Sequence, residues 1–429
     1  MKNITSWGNY PKQEHSSVFT LSNDIFSKSD KSFLTHGLGR SYGDVCLNEN
    51  ENIIDLRKQK KIININEVSG QLSVESGASI REVLNITIPK GWFLPVVPGT
   101  QNVTIGGAIA NDIHGKNHHR SGSFGNFVES FYLLRSTGEI INCSETENKE
   151  LFNATIGGLG LTGVIISSVI NLKKIDSSFI NSEIKRFRSL DEYWELNNSN
   201  ENKYEYTVCW VDCLSKTATD LRGVYISGDH SKRKTIKKNK KERNISFPIT
   251  PPFSLVNNYS MKMINNVYYF GNKDKKISNQ HYRSFFFPLD AINSWNKAYG
   301  TKGFFQYQFV VPKNDSKVSL NKIIQEIHTN GQIPALGVLK SFGSIKSKGM
   351  LSFPREGITM ALDFANKGLE TLKFLDRLDK VVVEYGGALY PAKDARMSKD
   401  VFSKSFENIN DFQKYVDPRF SSSFYRRVK

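Results

Sequence analysis

Three histidines, His114, His118 and His119, fall within one glycine-rich stretch from Pro95 to Gly125, PVVPGTQNVTIGGAIANDIHGKNHHRSGSFG. Imidazoles titrate near neutrality and ligate metals, so proton transfer, metal binding and cofactor contact are the chemistries to weigh. The four-residue spacing of His114 and His118 converges on a metal only in a helix, and Gly115 and Asn117 oppose a helix there. No cysteine or further histidine completes a metal site nearby, so no metal is expected. The surrounding residues point to a flat ligand instead. The Pro98-Gly99-Thr100 turn, the Gly106–Gly107 pair and the small Ala108 and Ala110 let backbone lie directly against it. Glycine accepts left-handed angles and has no side chain to hold a ligand off. A core strand would carry branched residues here. The stretch reads as the wall of a cofactor site, with an ordinary surface or core role for the histidines as the alternative.

A second glycine loop lies upstream, Gly37-Leu38-Gly39-Arg40-Ser41-Tyr42-Gly43-Asp44. Such a loop can aim consecutive backbone N–H groups at phosphate oxygens, with Arg40 as counter-charge. It is not the dinucleotide fingerprint of a Rossmann fold, which needs a third glycine where Tyr42 stands and a helix directly after. Alone such a loop is more often a plain turn. Joined to the 95–125 stretch and to a third run, Gly157-Gly158-Leu159-Gly160-Leu161-Thr162-Gly163, it reads as part of one cofactor site.

These three motifs, in this order, resemble the PCMH-type FAD-binding domain of the vanillyl-alcohol oxidase superfamily. Within it the chain is most similar to the decaprenylphosphoryl-β-D-ribose 2′-oxidases, from GLGRSYGD through DIHGKNHH and GSFG to YPAKDAR near the C-terminus. The resemblance implies an α+β fold: a flavin domain of two α/β subdomains over residues 1–177, an inserted substrate domain on an antiparallel sheet over 178–387, and a return to the flavin domain over 388–429. It implies that Gly37, Leu38, Gly39, Arg40, Ser41, Tyr42 and Gly43 cradle the FAD pyrophosphate. Gly99, Thr104, Ile105, Gly106 and Gly107 would line the flavin, with Asn111, Asp112, Ile113 and His114 near the isoalloxazine. Gly163 and Ile165 would meet the adenine side, and Tyr390 would also contact FAD. Relatives that hold flavin covalently carry a histidine where Arg40 stands, so dissociable, non-covalent FAD is expected.

The catalytic candidates follow from the same resemblance. Lys393, in Tyr390-Pro391-Ala392-Lys393-Asp394-Ala395-Arg396, would sit against the flavin and the substrate hydroxyl, where an ammonium stabilises developing negative charge. Desolvation lowers an amine's pKa, so Lys393 also suits deprotonation of an alcohol. The plain alternative is a solvated surface lysine. His114, Lys340, Gln308, Lys116 and Tyr42 would face substrate or flavin, against strand or loop polarity as the alternative. One departure stands out: Thr359 and Ala361 occupy the positions of an asparagine and an active-site cysteine in the relatives. Hydride transfer requires no thiol, so the loss changes the pocket wall rather than the chemistry. The implied activity is oxidation of a secondary sugar hydroxyl, the 2′-OH of a polyprenyl-phosphate pentose, giving a keto sugar for a separate short-chain reductase. The alternatives are an aldonolactone or alditol oxidase on a free sugar, and a non-catalytic protein that keeps the flavin fold.

The elements that must position these residues can be read from periodicity. At 429 residues the chain exceeds the usual size of one core, so two domains are the prior. Strands are predicted at Ile53–Leu56, Gln71–Glu75 and Val164–Leu172, and a helix from Ser79, its cap, to about Pro89. The mixed αβ character gives way near residue 177 to a strand-rich, aromatic middle. There Phe305, Tyr307 and Phe309 alternate with Gln306 and Gln308, the pattern of a strand with one apolar and one polar face. Apolar residues at helical spacing from Gly368 to Tyr385 predict a helix that Gly386–Gly387 stop.

Charge and composition bound the partners. The net charge is +16, much of it in the run Ser231–Arg243. That run reads as a solvated loop or, more sharply, as attraction to an anionic membrane surface through Lys232–Arg243, where the neighbouring Phe247–Phe253 would either dip into the interface or pack on the domain. No nucleic-acid module is visible, so nucleic acid is not an expected partner. No run approaches the ~20 apolar residues that span a bilayer, and the N-terminus lacks a signal-peptide stretch. Four scattered cysteines fit a reducing cytoplasm, with a peripheral position at the inner face of the membrane.

Overall fold

A computed structural model describes residues 4–214, 221–236, 245–274 and 276–429. Of the basic run, residues 237–243 lie outside these. Three short strands, β1 (Ser17–Thr20), β2 (Phe33–His36) and β3 (Asn52–Asp55), form a parallel sheet in the order β1-β3-β2. A five-stranded antiparallel sheet follows, from β4 (Ile62–Asn66), β5 (Gln71–Glu75), β6 (Val128–Leu134), β7 (Ile140–Ser144) and β8 (Val164–Asn171), in the order β4-β5-β8-β6-β7. Helix α1 (Ile80–Thr87) starts at Ser79, whose hydroxyl accepts from the Glu82 N–H while the Glu82 carboxylate accepts from the Ser79 N–H. That reciprocal cap satisfies two donors the first turn leaves free. Ile80, Val83 and Leu84 of α1 share a core with Leu72 and Val74 of β5 and with Ile105 and Ile109 of α2 (Ile105–Ala110).

An eight-stranded antiparallel sheet dominates the rest. Its strands are β9 (Phe179–Phe187), β10 (Tyr206–Val211), β11 (Gly223–His230), β12 (Lys276–His281), β13 (Phe304–Val311), β14 (Gly337–Phe342), β15 (Gly357–Ala365) and β16 (Ala388–Leu389), in the order β12-β9-β11-β10-β14-β15-β13-β16. Three helices cover one face: α3 (Leu190–Asn200), α5 (Ser316–Thr329) and α6 (Leu369–Glu384). Tyr307 and Phe309 of β13 join Tyr193, Leu320, Ile323, Phe374 and Leu375 of those helices in one core. A fourth helix, α4 (Asn258–Gly271), lies on the opposite face, where Tyr268 meets Trp210 of β10.

The polar face of β13 is buried, with Gln306 and Gln308 both inside. Period two separates the two faces of a strand but says nothing about what covers each. The middle is less purely strand-built than read, since α3, α4 and α5 lie in it. For α5 the helical signal was present in Leu320, Ile323, Ile324 and Ile327. The predicted helix over 368–385 is α6, and Gly386, at φ 65°, follows its end. The last residues turn back onto the beginning: Phe33 and Ser421 exchange backbone hydrogen bonds with Arg419 and Phe33, and the Ser423 N–H donates to Leu47.

Candidate cofactor and substrate site

Backbone contacts bring the glycine motifs together. A side chain on Gly37 would strike Thr104 Oγ1 at 2.4 Å, so the first loop rests directly on the cap of α2. One on Gly43 would meet the carbonyl oxygen of Asp394 at 1.7 Å, and the Tyr42 N–H donates to the Ala392 carbonyl at 2.9 Å. Gly39 adopts φ 60°, a left-handed angle that favours glycine. The third run closes the other side of α2, with Gly157 and Leu159 donating to the carbonyls of Ile109 and Ala110. Arg427 locks the arrangement: its guanidinium bonds Asp44 at 2.7 Å and Asp394 at 2.9 Å, tying the first loop to the YPAKD turn.

The catalytic candidates meet on the side of the large sheet away from α3, α5 and α6. His114 sits at the centre, buried, its ring edge on Phe342. Lys340 Nζ lies 3.1 Å from His114 Nδ1, and the Gln308 amide lies 2.9 Å from Nε2 and 3.1 Å from Thr359 Oγ1. Gln308 presents its amide nitrogen, a donor, so His114 Nε2 accepts and the imidazole proton sits on Nδ1, where Lys340 accepts it as a neutral amine. Lys393 Nζ stands 4.0 Å from the centre of the Tyr42 ring, a cation–π contact. Its carboxylate neighbour is Asp363, which accepts from Gln306 Nε2 at 2.6 Å and leaves Oδ2 buried without a hydrogen bond. Lys116 points slightly aside: its ammonium donates to the Phe285 carbonyl and lies over the Phe285 ring.

Electrostatics follow from burial. Desolvation lowers Lys116 to about 7 and, together with repulsion from Lys116 and Lys393, Lys340 to about 7; it lowers Lys393 to about 8 although Asp363 supports the charge there. Burial, reinforced by Lys340, holds His114 well below the usual histidine range, so it is neutral. Burial lifts the Asp363 carboxyl to about 7 against the hydrogen bond from Gln306 and the charge of Lys393. Three ammonium groups share this region with one near carboxylate. Such a site is poised for anionic ligands, since each missing counter-charge is an unbalanced desolvation.

The residues present fit a flavin dinucleotide. A side chain on Gly99 would meet nothing within 4 Å, so Gly99 faces open space, whereas one on Gly107 would crowd Thr104 Oγ1 at 3.0 Å. Three buried polar atoms on or beside the motif residues lack hydrogen-bond partners: Arg40 Nε, Asn111 Oδ1 and Ser76 Oγ. Arg40 stacks on Trp7 at 4.0 Å, and burial works against its charge more than the distant Asp290 supports it. An unpaired, part-buried guanidinium suits a pyrophosphate.

Other sequence-named residues have different duties. Gly106 is required by close packing, because a side chain there would strike Ser76 Cβ at 2.8 Å. Ile105, Ile113 and Ile165 point into the core of α1, α2 and the five-stranded sheet, so only their backbones are free to meet a ligand. Leu38 is exposed and Ser41 hydrogen-bonds Trp7 through backbone. Gly163 packs on Leu133 and Leu134. Asp112 is a buried brace, accepting from Ser123, Ser352 and the Gly125 N–H. Tyr390 stacks on Phe353 and donates its hydroxyl to the Asn111 carbonyl. Of the histidines only His114 joins the lysines; His118 accepts from the Gly343 N–H behind Phe342, and His119 lies against the Tyr204 carbonyl. Among the described residues no group of three or more metal-ligating side chains exists. Asp363, Gln306 and Trp7 were not among the sequence candidates. Gln306 and Asp363 were within reach, because each lies two residues from a site position on the same strand face.

Comparison with known proteins places the chain. Residues 24–144 match the FAD binding domain family. Decaprenylphosphoryl-β-D-ribose oxidase of Mycolicibacterium smegmatis is 34% identical over 412 residues, 92% of this chain and 89% of that protein. An uncharacterised protein of Streptomyces coelicolor is 27% identical over 371 residues, 82% of this chain and 99% of its own. D-arabinono-1,4-lactone oxidase of Candida glabrata is 22% identical over 170 residues, 39% of this chain and 32% of that enzyme.

Proposed function

The chain belongs to the family of FAD-dependent oxidases that includes decaprenylphosphoryl-β-D-ribose oxidase, and on that premise we propose that it oxidises the 2′-hydroxyl of a polyprenyl-phosphate pentose to a keto sugar. The observation that carries this reading is the meeting of Lys340 and Lys393 around His114 and Gln308, with Lys116 near enough to repel Lys340, an under-neutralised cationic site suited to a phosphorylated sugar. Bound FAD supplies the acceptor for the hydride leaving the carbinol carbon. The hydroxyl proton passes to Nζ of Lys393, whose pKa of about 8 leaves a share of neutral amine near neutrality. Asp363 then stabilises the ammonium so formed. Neutral His114, held between Lys340 and the Gln308 amide, orients the sugar without adding charge. Arg40, the 37–43 loop, Gly99, Gly107, Asn111 and Tyr390 would hold the FAD, non-covalently because no histidine stands at position 40.

In this reading residues 1–177 form the FAD domain, with the three- and five-stranded sheets as its two subdomains. Residues 178–387 form the substrate domain, and 388–429 return to the first. The keto product requires a reductase to complete an epimerisation, and that partner would be a separate short-chain enzyme. A lipid-linked substrate and the basic segment 232–243 support work at an anionic inner membrane surface. The four free cysteines are consistent with a reducing compartment. Among the described residues no helix is long and apolar enough to cross a membrane. Oxidation of a free aldonolactone is the second reading, favoured only by the partial match to lactone oxidases. Anaerobic mixing decides: a prenyl-phosphate pentose should bleach the flavin absorbance at substrate concentrations where free lactones do not. Bleaching by lactones alone would overturn the proposal.

A further inference from the structure

Helix α4 is built inside out. Its inward residues are Met261, Asn265 and Tyr269. Asn265 Nδ2 donates to Asp212 at 2.7 Å, and the Arg222 guanidinium lies over Tyr269. Its outward residues are apolar: Tyr259 is 89% exposed, Met263 66%, Val267 72% and Phe270 65%, with Ile264 also exposed. The spacings of four, four and three residues align the first four as one stripe along the helix. Single exposed apolar residues are ordinary, but a stripe of this length on one helix is not. The segment leading into it adds exposed Ile249, Phe253 and Leu255.

The position of α4 gives the stripe meaning. Cross-strand pairing places Gln308, Ala361, Val338, Trp210, Val224 and Arg186 in one row across the sheet, all on one face. That is the face carrying Gln308 and Lys340, and α4 lies on it against Trp210 and Val224. Met261, on the inner side of α4, shares a cluster with Tyr42, the ring beneath Lys393. The helix is thus a roof whose inside touches the candidate site and whose outside is greasy. Charge supplies the complement: Ser231 to Lys276 holds twelve Lys and Arg against two acidic residues, and α4 itself carries Lys262 as its only charge.

We propose that α4, with Ile249, Phe253 and Leu255, is an interfacial anchor that lies in the headgroup boundary of an anionic phospholipid bilayer, holding the catalytic face of the sheet toward the membrane. An amphipathic helix flanked by cationic residues binds such a surface through buried apolar area plus attraction to anionic lipid. The proposal rests on the reading of a lipid-linked substrate for its purpose, not for its test.

The test is vesicle flotation of the flavin-loaded protein with phosphatidylcholine vesicles containing about one-third phosphatidylglycerol. A Met263→Glu/Val267→Glu variant is compared with wild type, with size-exclusion chromatography of both. Reduction of the flavin by a short-chain, water-soluble prenyl-phosphate pentose is read in parallel. Both side chains are mostly solvent-exposed, so an unchanged melting temperature is expected and confirms folding. The expected result is at least about tenfold weaker flotation of the variant, equal reduction by the short-chain substrate, and identical elution. Equal flotation of variant and wild type, or none by either, overturns the anchor. So does wild-type elution as a dimer that the variant splits, which would make the stripe a contact between copies. Absence of flavin reduction with flotation intact would refute the substrate reading and leave the anchor standing.

Discussion

Replacing Lys340 by methionine should stabilise the flavin-free protein while harming catalysis. Burial drives the Lys340 ammonium down to about 7, with Lys116 and Lys393 adding repulsion. Against an unfolded lysine near 10.4, a shift of ~3 units corresponds to about 4 kcal/mol at neutral pH. Relaxation and water reaching the pocket reduce this to about 3 kcal/mol, and leaving His114 Nδ1 without its partner returns about 1 kcal/mol. The net gain is about 2 kcal/mol. A chain of 429 residues unfolds with an entropy of roughly 0.9 kcal/mol/K, so the melting temperature should rise by about 2 °C. The pH dependence fixes the cause. The folded protein binds this proton less tightly than the unfolded chain, so the penalty is complete below pH 7. It is relieved as pH rises from about 7 toward about 10.4. Calorimetry between pH 6 and pH 10.5 should show the variant ahead at low pH, with its advantage closing and then reversing. A variant less stable at pH 6, or an offset independent of pH, would refute the argument.

Other outcomes test separate parts of the site. Lys393→Met should lower the rate of flavin reduction by about 10²- to 10³-fold with little change in substrate affinity, measured by stopped-flow absorbance. Arg40→Ala should weaken FAD binding by about 10- to 100-fold, as expected for one charged hydrogen-bonding group, in a flavin fluorescence titration. The acid-denatured wild type should show the mass of the unmodified chain, with no flavin attached. Ala361→Cys should gain one adduct from a thiol-directed alkylating reagent by mass spectrometry. The wild type should gain none, because burial raises the Cys46 and Cys143 thiols to about 12 and those of Cys209 and Cys213 further.

Local signals carried much of this protein. Ser79 with Glu82 specified the start of α1, and the 369–383 periodicity with Gly386 specified α6, because caps and apolar spacing are short-range physics. Glycines 37, 39 and 43 marked a loop that backbone must approach closely, and the spacing of the motifs identified the flavoprotein family. What touches what was decided only by tertiary structure. Period two divided β13 into two faces, but the chain had to fold before the glutamine face could be buried against His114. His114, His118 and His119 are near-identical in sequence, and only packing put the first between two site residues and the others against loop backbone. Asp363 gained its partner Lys393 from 30 positions away, through β15 and the turn after β16. In α4 the helical spacing of apolar residues was present, yet its apolar side faces outward, because the sheet face beneath offered Asp212 and Arg222 to its polar side. Sequence sets what each segment can form and which side chains share a face. Which face is buried, and beside which charge, depends on surfaces contributed by segments far along the chain.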